Sequence, residues 1–291
     1  MIEVQYDRGT LLLTPQPTSG KKWREFVIWD RRVEQFRALG CNYKDLLKAL
    51  QQEEISFVDQ AEQFSSFKLN LYSKQDYSVI SDEEKTFRGW VETGRRGTFV
   101  VTELQKLALV KLAIKEVASK TLIIAPTQAI AQRWLLKLKP VLRGNVKIAS
   151  TLKDRSIKTA PILIISFNLA AILSEEIGNQ YSLLIIDEYL LLSLDTGSWN
   201  FIDILKSFIA PFRLGISTFT LPGQPQEILN FLGATIYCSD SASSTENSEE
   251  VDSFIDYLTS IRSDLYSESE QLERLVIAEP DFGDLPTEYE I

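Results

Sequence analysis

The 291-residue chain contains no histidine. Imidazole is the side chain whose ordinary pKa lies nearest neutrality. Its absence removes the usual general base, the usual zinc ligand and every Ser-His or Cys-His pair. Only two cysteines are present, Cys41 and Cys238, and they make no metal-ligand spacing. A reducing compartment would keep both thiols free. No apolar run approaches the ~18 residues of a membrane-spanning helix. Met1-Ile2-Glu3-Val4 lacks the basic-then-apolar pattern of a signal peptide. These absences lead to the expectation of a cytoplasmic protein with no membrane partner.

What is present suffices for a sizeable core: 44% of residues are hydrophobic, and the length suits two domains. The net charge of -9 is unevenly spread. Residues 239–291 carry 15 acids and 2 bases, a net of -13, which leaves 25 acids and 29 bases, a net of +4, on residues 1–238. A mildly basic body with an acidic appendage suggests nucleic-acid binding, or simply a solubilising tail.

Patterning divides the chain into three parts. Residues 1–73 read as a small α+β domain, with strands at Gly9–Thr14, Phe26–Asp30 and Val33–Ala38 and a helix from Tyr43 to Leu50. Residues 74–238 open with a polar stretch holding a helix over Glu83–Thr93, then alternate strands and helices. Expected strands are Thr98–Val101, Thr121–Ala125, Val146–Ala149, Ile162–Ile165, Leu183–Ile186 and Leu214–Ser217. Expected helices are Leu104–Ser119, Gln128–Leu138 and Leu169–Ile177. Uninterrupted apolar strands between helices indicate an α/β fold, a parallel sheet covered on both faces. Residues 239–248 have linker composition. Beyond them Val251, Phe254, Ile255, Leu258, Ile261 and Leu265 recur at helical spacing, giving an amphipathic helix for a partner or for the chain's own domain.

Asp187-Glu188 closes an apolar strand, as in nucleotide hydrolases that hold Mg²⁺ and orient water. Such a site needs an earlier glycine-rich phosphate loop, G-x-x-x-x-G-K-[ST], whose backbone N–H groups and lysine hold phosphates and whose hydroxyl ligates Mg²⁺. The segment in that place is Phe99-Val100-Val101-Thr102-Glu103-Leu104-Gln105-Lys106-Leu107. Lys106 fits. Gln105 replaces a glycine, Leu107 cannot ligate a metal, and Glu103 would bring a carboxylate toward the phosphates.

From Gly97 to Tyr237 the order of these motifs resembles the first RecA-like lobe of superfamily 2 helicases. Residues 97–107 are similar to motif I. Pro126-Thr127, with Trp134 seven residues on, resembles motif Ia, and Ser166-Phe167-Asn168 resembles the next DNA-contacting motif. Asp187-Glu188-Tyr189-Leu190 resembles a DEAH box without its last two letters. Arg213-Leu214-Gly215-Ile216-Ser217-Thr218-Phe219-Thr220 resembles the RLGLTATP of motif III. Tyr6-Asp7-Arg8-Gly9-Thr10-Leu11 and Trp29-Asp30-Arg31-Arg32-Val33, followed by Phe36-Arg37-Ala38 and Tyr43, resemble the damage-recognition-like domain of XPB-type helicases.

The resemblance implies an ancestral nucleotide site of Thr102, Lys106, Asp187 and Glu188, with ATP and Mg²⁺ as ancestral cofactors. The altered loop predicts that none of these residues is catalytic, and that no cofactor or resident metal is held. Expected nucleic-acid contacts are Arg31, Arg32, Arg37, Arg95 and Arg96 by charge, and Pro126, Thr127 and Ser166 by resemblance. The expected function is an inactive helicase-like scaffold binding DNA non-specifically, or a repair-type partner. Two alternatives stay open: the ATP-binding half of a split helicase that needs a separate second lobe, and a protein-interaction module without nucleic acid; a separate helicase lobe or a nuclease is an expected candidate partner. The acidic tail is expected to oppose DNA binding in cis or to dock a basic partner.

Overall fold

Two sheets organise the chain, and their different patterning explains their different surroundings. The computed structural model describes residues 1–15, 20–67, 81–193, 201–220, 226–239, 257 and 259–271. The first sheet contains β1 (Ile2–Asp7), β2 (Thr10–Thr14), β3 (Val27–Asp30), β4 (Gln35–Leu39) and β5 (Phe57–Asp59), in the order β3-β4-β2-β1-β5. Only β1 and β5 pair in parallel. Arg8 and Gly9 join β1 to β2 with φ of 46° and 78°, the two positive values that a two-residue hairpin turn demands. One face of this sheet is apolar: Ile2, Val4, Leu11 and Leu13 pack with Trp23 against helix α1 (Tyr43–Gln52). Tyr43, Leu46, Ala49 and Leu50 form the buried stripe of that helix.

The second sheet is wholly parallel. Its strands are β6 (Arg96–Val100), β7 (Thr121–Ala125), β8 (Val146–Ile148), β9 (Ile162–Ser166), β10 (Leu183–Asp187), β11 (Phe212–Ser217) and β12 (Thr235–Cys238), in the order β12-β6-β11-β10-β7-β9-β8. Helices α2 (Ser81–Glu92), α3 (Glu103–Val117), α4 (Gln128–Leu142), α5 (Ser156–Thr159), α6 (Phe167–Ile177), α7 (Phe201–Lys206) and α8 (Gln226–Leu232) accompany it. Alternate strand residues enter opposite cores. Leu184 and Ile186 of β10 join the α6 side, whereas Leu183 and Ile185 join the side of α3 and α4. Burial on both faces is why these strands read as unbroken apolar runs.

Some boundaries differ from the sequence expectation. α4 continues through Pro140 to Leu142, because a proline in the last turn forfeits one N–H while Leu142 remains buried. α6 starts at Phe167, since Ser166 caps it by accepting from the Leu169 amide at 3.4 Å. β1 and β5 were not expected: β1 holds one alternating buried pair, and β5 is three residues long. A last helix, α9 (259–271), lies in the acidic tail and buries Ile261 and Leu265 in the core on the α6 side. The described part of the amphipathic stripe, Ile261 and Leu265, therefore packs on its own domain. Val251, Phe254, Ile255, Leu258 and the 240–248 linker lie outside the described residues.

The two sheets are tied by specific bonds. The Tyr6 hydroxyl donates to the Ser174 and Ser207 carbonyls, 3.0 Å each. Asn179 donates to the Ala61 carbonyl at 2.9 Å, and Ile209 sits inside the first domain's core. Arg213, 1% exposed, donates to the carbonyls of Ala210, Phe231 and Cys41 at 2.8, 3.0 and 3.1 Å and stacks 3.9 Å from the Phe231 ring centroid. Burial pulls its guanidinium down to about 9, and the nearby Arg96 adds to the drop.

Candidate functional site

Parallel strands bring their C-terminal ends to one edge, where α/β sheets form ligand crevices. That edge gathers Thr102 after β6, Pro126 and Thr127 after β7, Ser166 at the end of β9, Asp187 and Glu188 at the end of β10, and Ser217 and Thr218 at the end of β11. Residues separated by more than a hundred positions become neighbours through the strand order alone.

The segment standing for a phosphate loop is a self-capped helix start. Thr102 is the N-cap of α3. Its amide donates to Gln105 Oε1 at 3.0 Å, and the Gln105 amide donates back to Thr102 Oγ1 at 3.5 Å. This is a capping box, which satisfies two amides that a phosphate loop would turn toward its ligand. Glutamine thus has a local reason to stand where a glycine would be.

One turn on, Lys106 is buried at 1% exposure. Its ammonium lies 2.8 Å from Asp187 Oδ1, pairs with Glu188 Oε1, and reaches Glu103 Oε1 at 3.3 Å. Burial alone would lower the lysine, but Asp187, Glu188 and Glu103 outweigh it and hold the ammonium above its ordinary value. Burial raises the Glu188 carboxyl above the usual carboxylate range, with Lys106 opposing.

Every carboxylate oxygen of the pair has an internal donor. The Trp134 indole donates to Asp187 Oδ2 at 2.6 Å. Ser217 Oγ and the Thr218 amide reach Glu188 Oε2 at 2.8 and 3.1 Å, and Thr218 Oγ1 reaches Oε1 at 2.7 Å. Glu188 itself has φ of 48°, a left-handed conformation costing about 1–2 kcal/mol for a residue with a Cβ. Those donors hold it there. Thr218 and Gln105 were not singled out as site partners from the sequence. Thr102-x-x-Gln105 is a capping-box signature that could have located one; nothing local marks the other.

The expected nucleic-acid residues separate into groups. Arg31 and Arg32 lie exposed at the β3–β4 turn, and Arg32 forks onto Asp30 at 3.1 and 3.0 Å with its side chain still 85% exposed. These hydrogen bonds, with Arg37 beside them, hold the Asp30 carboxyl down to about 2. Ile28 and Trp29 on β3 and Val33 are exposed beside them, whereas Trp23 is fully buried. Arg37 is 16% exposed, with Asp30 at 3.1 Å and Asp7 at 3.0 Å. Arg95 pairs with Glu116 at 2.6 Å. Arg96 is half-buried and donates to the Pro211 carbonyl at 3.3 Å. Pro126, Thr127 and Ser166, expected from the resemblance to contact nucleic acid, are buried. α9 covers that ground: Glu268 accepts from the Gln128 amide at 2.6 Å, and Asn168 donates to the Leu265 carbonyl at 3.0 Å. Tyr257, ahead of α9, is half-buried; burial raises its phenol and Glu188 raises it further.

Among the described residues, no group of three or more His, Cys, Asp or Glu is placed to hold a metal ion, and no helix is long and apolar enough to cross a membrane.

Residues 4–61 match the Xeroderma pigmentosum group B helicase damage recognition domain, and residues 46–220 match the type III restriction enzyme, res subunit. The DNA 3'-5' translocase XPB2 of Sulfurisphaera tokodaii is 26% identical over 220 residues, 75% of this chain and 46% of that protein. The chain thus spans about half the length of the curated relative it matches. Among solved structures, the UvsW helicase from bacteriophage T4 aligns with a TM-score of 0.43 at 14% identity, over 81% of this chain and 99% of that one. The Sulfolobus solfataricus SWI2/SNF2 ATPase core in complex with dsDNA aligns with a TM-score of 0.43 at 16% identity, over 57% and 38%. With a damage-recognition match leading into a res-subunit match that covers more than half of the chain, this protein belongs to the family of the type III restriction enzyme res subunit and is of the XPB type within superfamily 2.

Proposed function

We propose that this chain is a helicase-like scaffold that binds DNA and does not hydrolyse ATP. One observation carries the reading: all four carboxylate oxygens of Asp187 and Glu188 accept from Lys106, Trp134, Ser217 or Thr218. A nucleotide with Mg²⁺ would need those oxygens, the lysine and the amides of the α3 start. Here the capping box holds two of the amides, Leu107 offers no hydroxyl, and Glu103 stands 3.3 Å from the lysine as a carboxylate where phosphate would come. The residues present do not fit the family's cofactor.

DNA as the partner rests on the basic body and the β3–β4 turn. Arg31 and Arg32 are exposed beside Trp29 and Ile28, an arrangement suited to backbone phosphates with an aromatic at the base or sugar. The damage-recognition match over the same residues and the translocase relative support it.

The test is association of the full chain with labelled duplex and single-stranded DNA across a salt series, with and without ATP and Mg²⁺. Binding should weaken with salt and be indifferent to nucleotide. No association at low salt, or release of inorganic phosphate, would overturn the proposal.

A further inference from the structure

The sheet edge opposite Asp187 and Glu188 holds the start of each parallel strand, and two arginines stand side by side there. Arg96 opens β6, Arg213 lies near the start of β11, and the two are direct register partners. Like charges on neighbouring strands repel. A carboxylate would relieve that repulsion. Among the described residues, however, the acceptors of both guanidiniums are carbonyl oxygens: Pro211 for Arg96, and Ala210, Phe231 and Cys41 for Arg213. Arg96 Nη2 is buried and has no acceptor among those residues. A buried charged donor left unpaired is costly, and its persistence in a folded protein calls for a ligand.

Both arginines line one cavity of about 210 Å³ at the junction of the two domains. Cys41 lines it from the first domain, Lys206 from the end of α7 and Asn230 from α8. Asp45 and Glu227 also border it, from exposed positions. Lys206 is paired with Asp203, so the two guanidiniums are the cations that lack a carboxylate. Pockets for drug-sized ligands run roughly 300–1,000 Å³, which limits this one to a small molecule. Guanidinium N–H pairs match the spacing of phosphate oxygens, and two of them suit a dianion. Burial, and then the charge of Arg96, lower the Arg213 guanidinium, which still carries its proton at neutral pH.

We propose that this cavity binds a small phosphate-bearing anion between the Arg96 and Arg213 guanidiniums. The site is at the far edge of the sheet from the nucleotide motif, and the inference is independent of the DNA reading. Its lining comes from both domains, so an occupant ties the first domain to the parallel sheet and stabilises the folded chain by mass action.

The experiment measures the melting temperature of the full chain in inorganic phosphate, in glycerol phosphate and in sodium chloride of equal ionic strength. The phosphates should raise it above the chloride value, and the rise should grow with concentration. Titration calorimetry gives the dissociation constant. Arg96→Gln should weaken binding by roughly tenfold or more, the loss of a charge-assisted bond. Lys206→Gln is the milder variant, expected to weaken it by roughly two- to fivefold. Alkylation by iodoacetamide, read by mass spectrometry, locates the ligand: phosphate should slow the half-buried Cys41 and leave the exposed Cys238 unaffected. Tighter binding of glycerol phosphate than of inorganic phosphate assigns an organic phosphate as the occupant, and the reverse order assigns the free ion. Melting temperatures equal to the chloride value in both phosphates overturn the proposal. So does phosphate affinity unchanged in both variants with Cys41 alkylated at its original rate. If Arg96→Gln does not fold, Lys206→Gln and the Cys41 rate decide.

Discussion

The chain carries two clusters of charge that meet opposite fates. At the sheet edge, Lys106, Asp187 and Glu188 are each 3% exposed or less, and their polar atoms face one another. At the β3–β4 turn, Arg31 and Arg32 project into solvent beside exposed Trp29 and Ile28. The first cluster has the motif of a nucleotide machine and the environment of a structural ion network. The second lies within the damage-recognition match and has the open geometry that an interface needs. A binding site must keep donors and acceptors unfilled until its ligand arrives. A network saturated from within stabilises the fold instead, and truncating one member leaves an uncompensated buried charge.

This contrast can be broken by substitution, and the largest effect belongs to the buried cluster. Lys106→Met should destabilise the protein by roughly 3–5 kcal/mol in urea unfolding, because Asp187 and Glu188 lose their shared cation. A loss under ~1 kcal/mol, the range of surface pairs, would mean the lysine is not structural. Trp134→Phe keeps the ring and deletes the N–H on Asp187, so a loss of about 1.5–3 kcal/mol is expected in the same assay. Thr102→Ala breaks the capping box at a cost of about 1 kcal/mol, read as a lowered melting temperature. At the open cluster the order of sensitivity reverses. Arg31→Glu with Arg32→Glu should change stability by no more than ~1 kcal/mol while weakening DNA association for all sequences alike, with a shallower salt slope. Unchanged DNA affinity in that double variant would move the interface elsewhere.

Much of this architecture is legible along the chain. The apolar runs at 121–125, 162–165 and 183–186 are central strands of the parallel sheet, since burial on both faces leaves no room for polar alternation. Lys106 and Asp187 could be named from their motifs, but not their mutual contact. That depends on β11 lying between β6 and β10, which lets α3, following β6, reach the β10 end; these are facts of topology rather than spacing. Arg37 shows the same limit from the other side. On paper it belongs with Arg31 and Arg32 in a basic patch, yet β2–β4 pairing carries it to Asp7, and the β3–β4 hairpin brings it Asp30. Nor does any local signal place Glu268 on Gln128, a bond across 140 positions; helical periodicity in the tail announces a docking face without saying where it docks.

The Asp187–Glu188 site is filled by its own chain, and on the proposed function it turns over no nucleotide. The most direct measurement is phosphate release from ATP with Mg²⁺ by the full chain, with and without saturating DNA, alongside Lys106→Ala and Asp187→Asn. Release should stay at the no-protein background in every sample, with the variants altering melting temperature and nothing else. Turnover by the unaltered chain that disappears in both variants would contradict it.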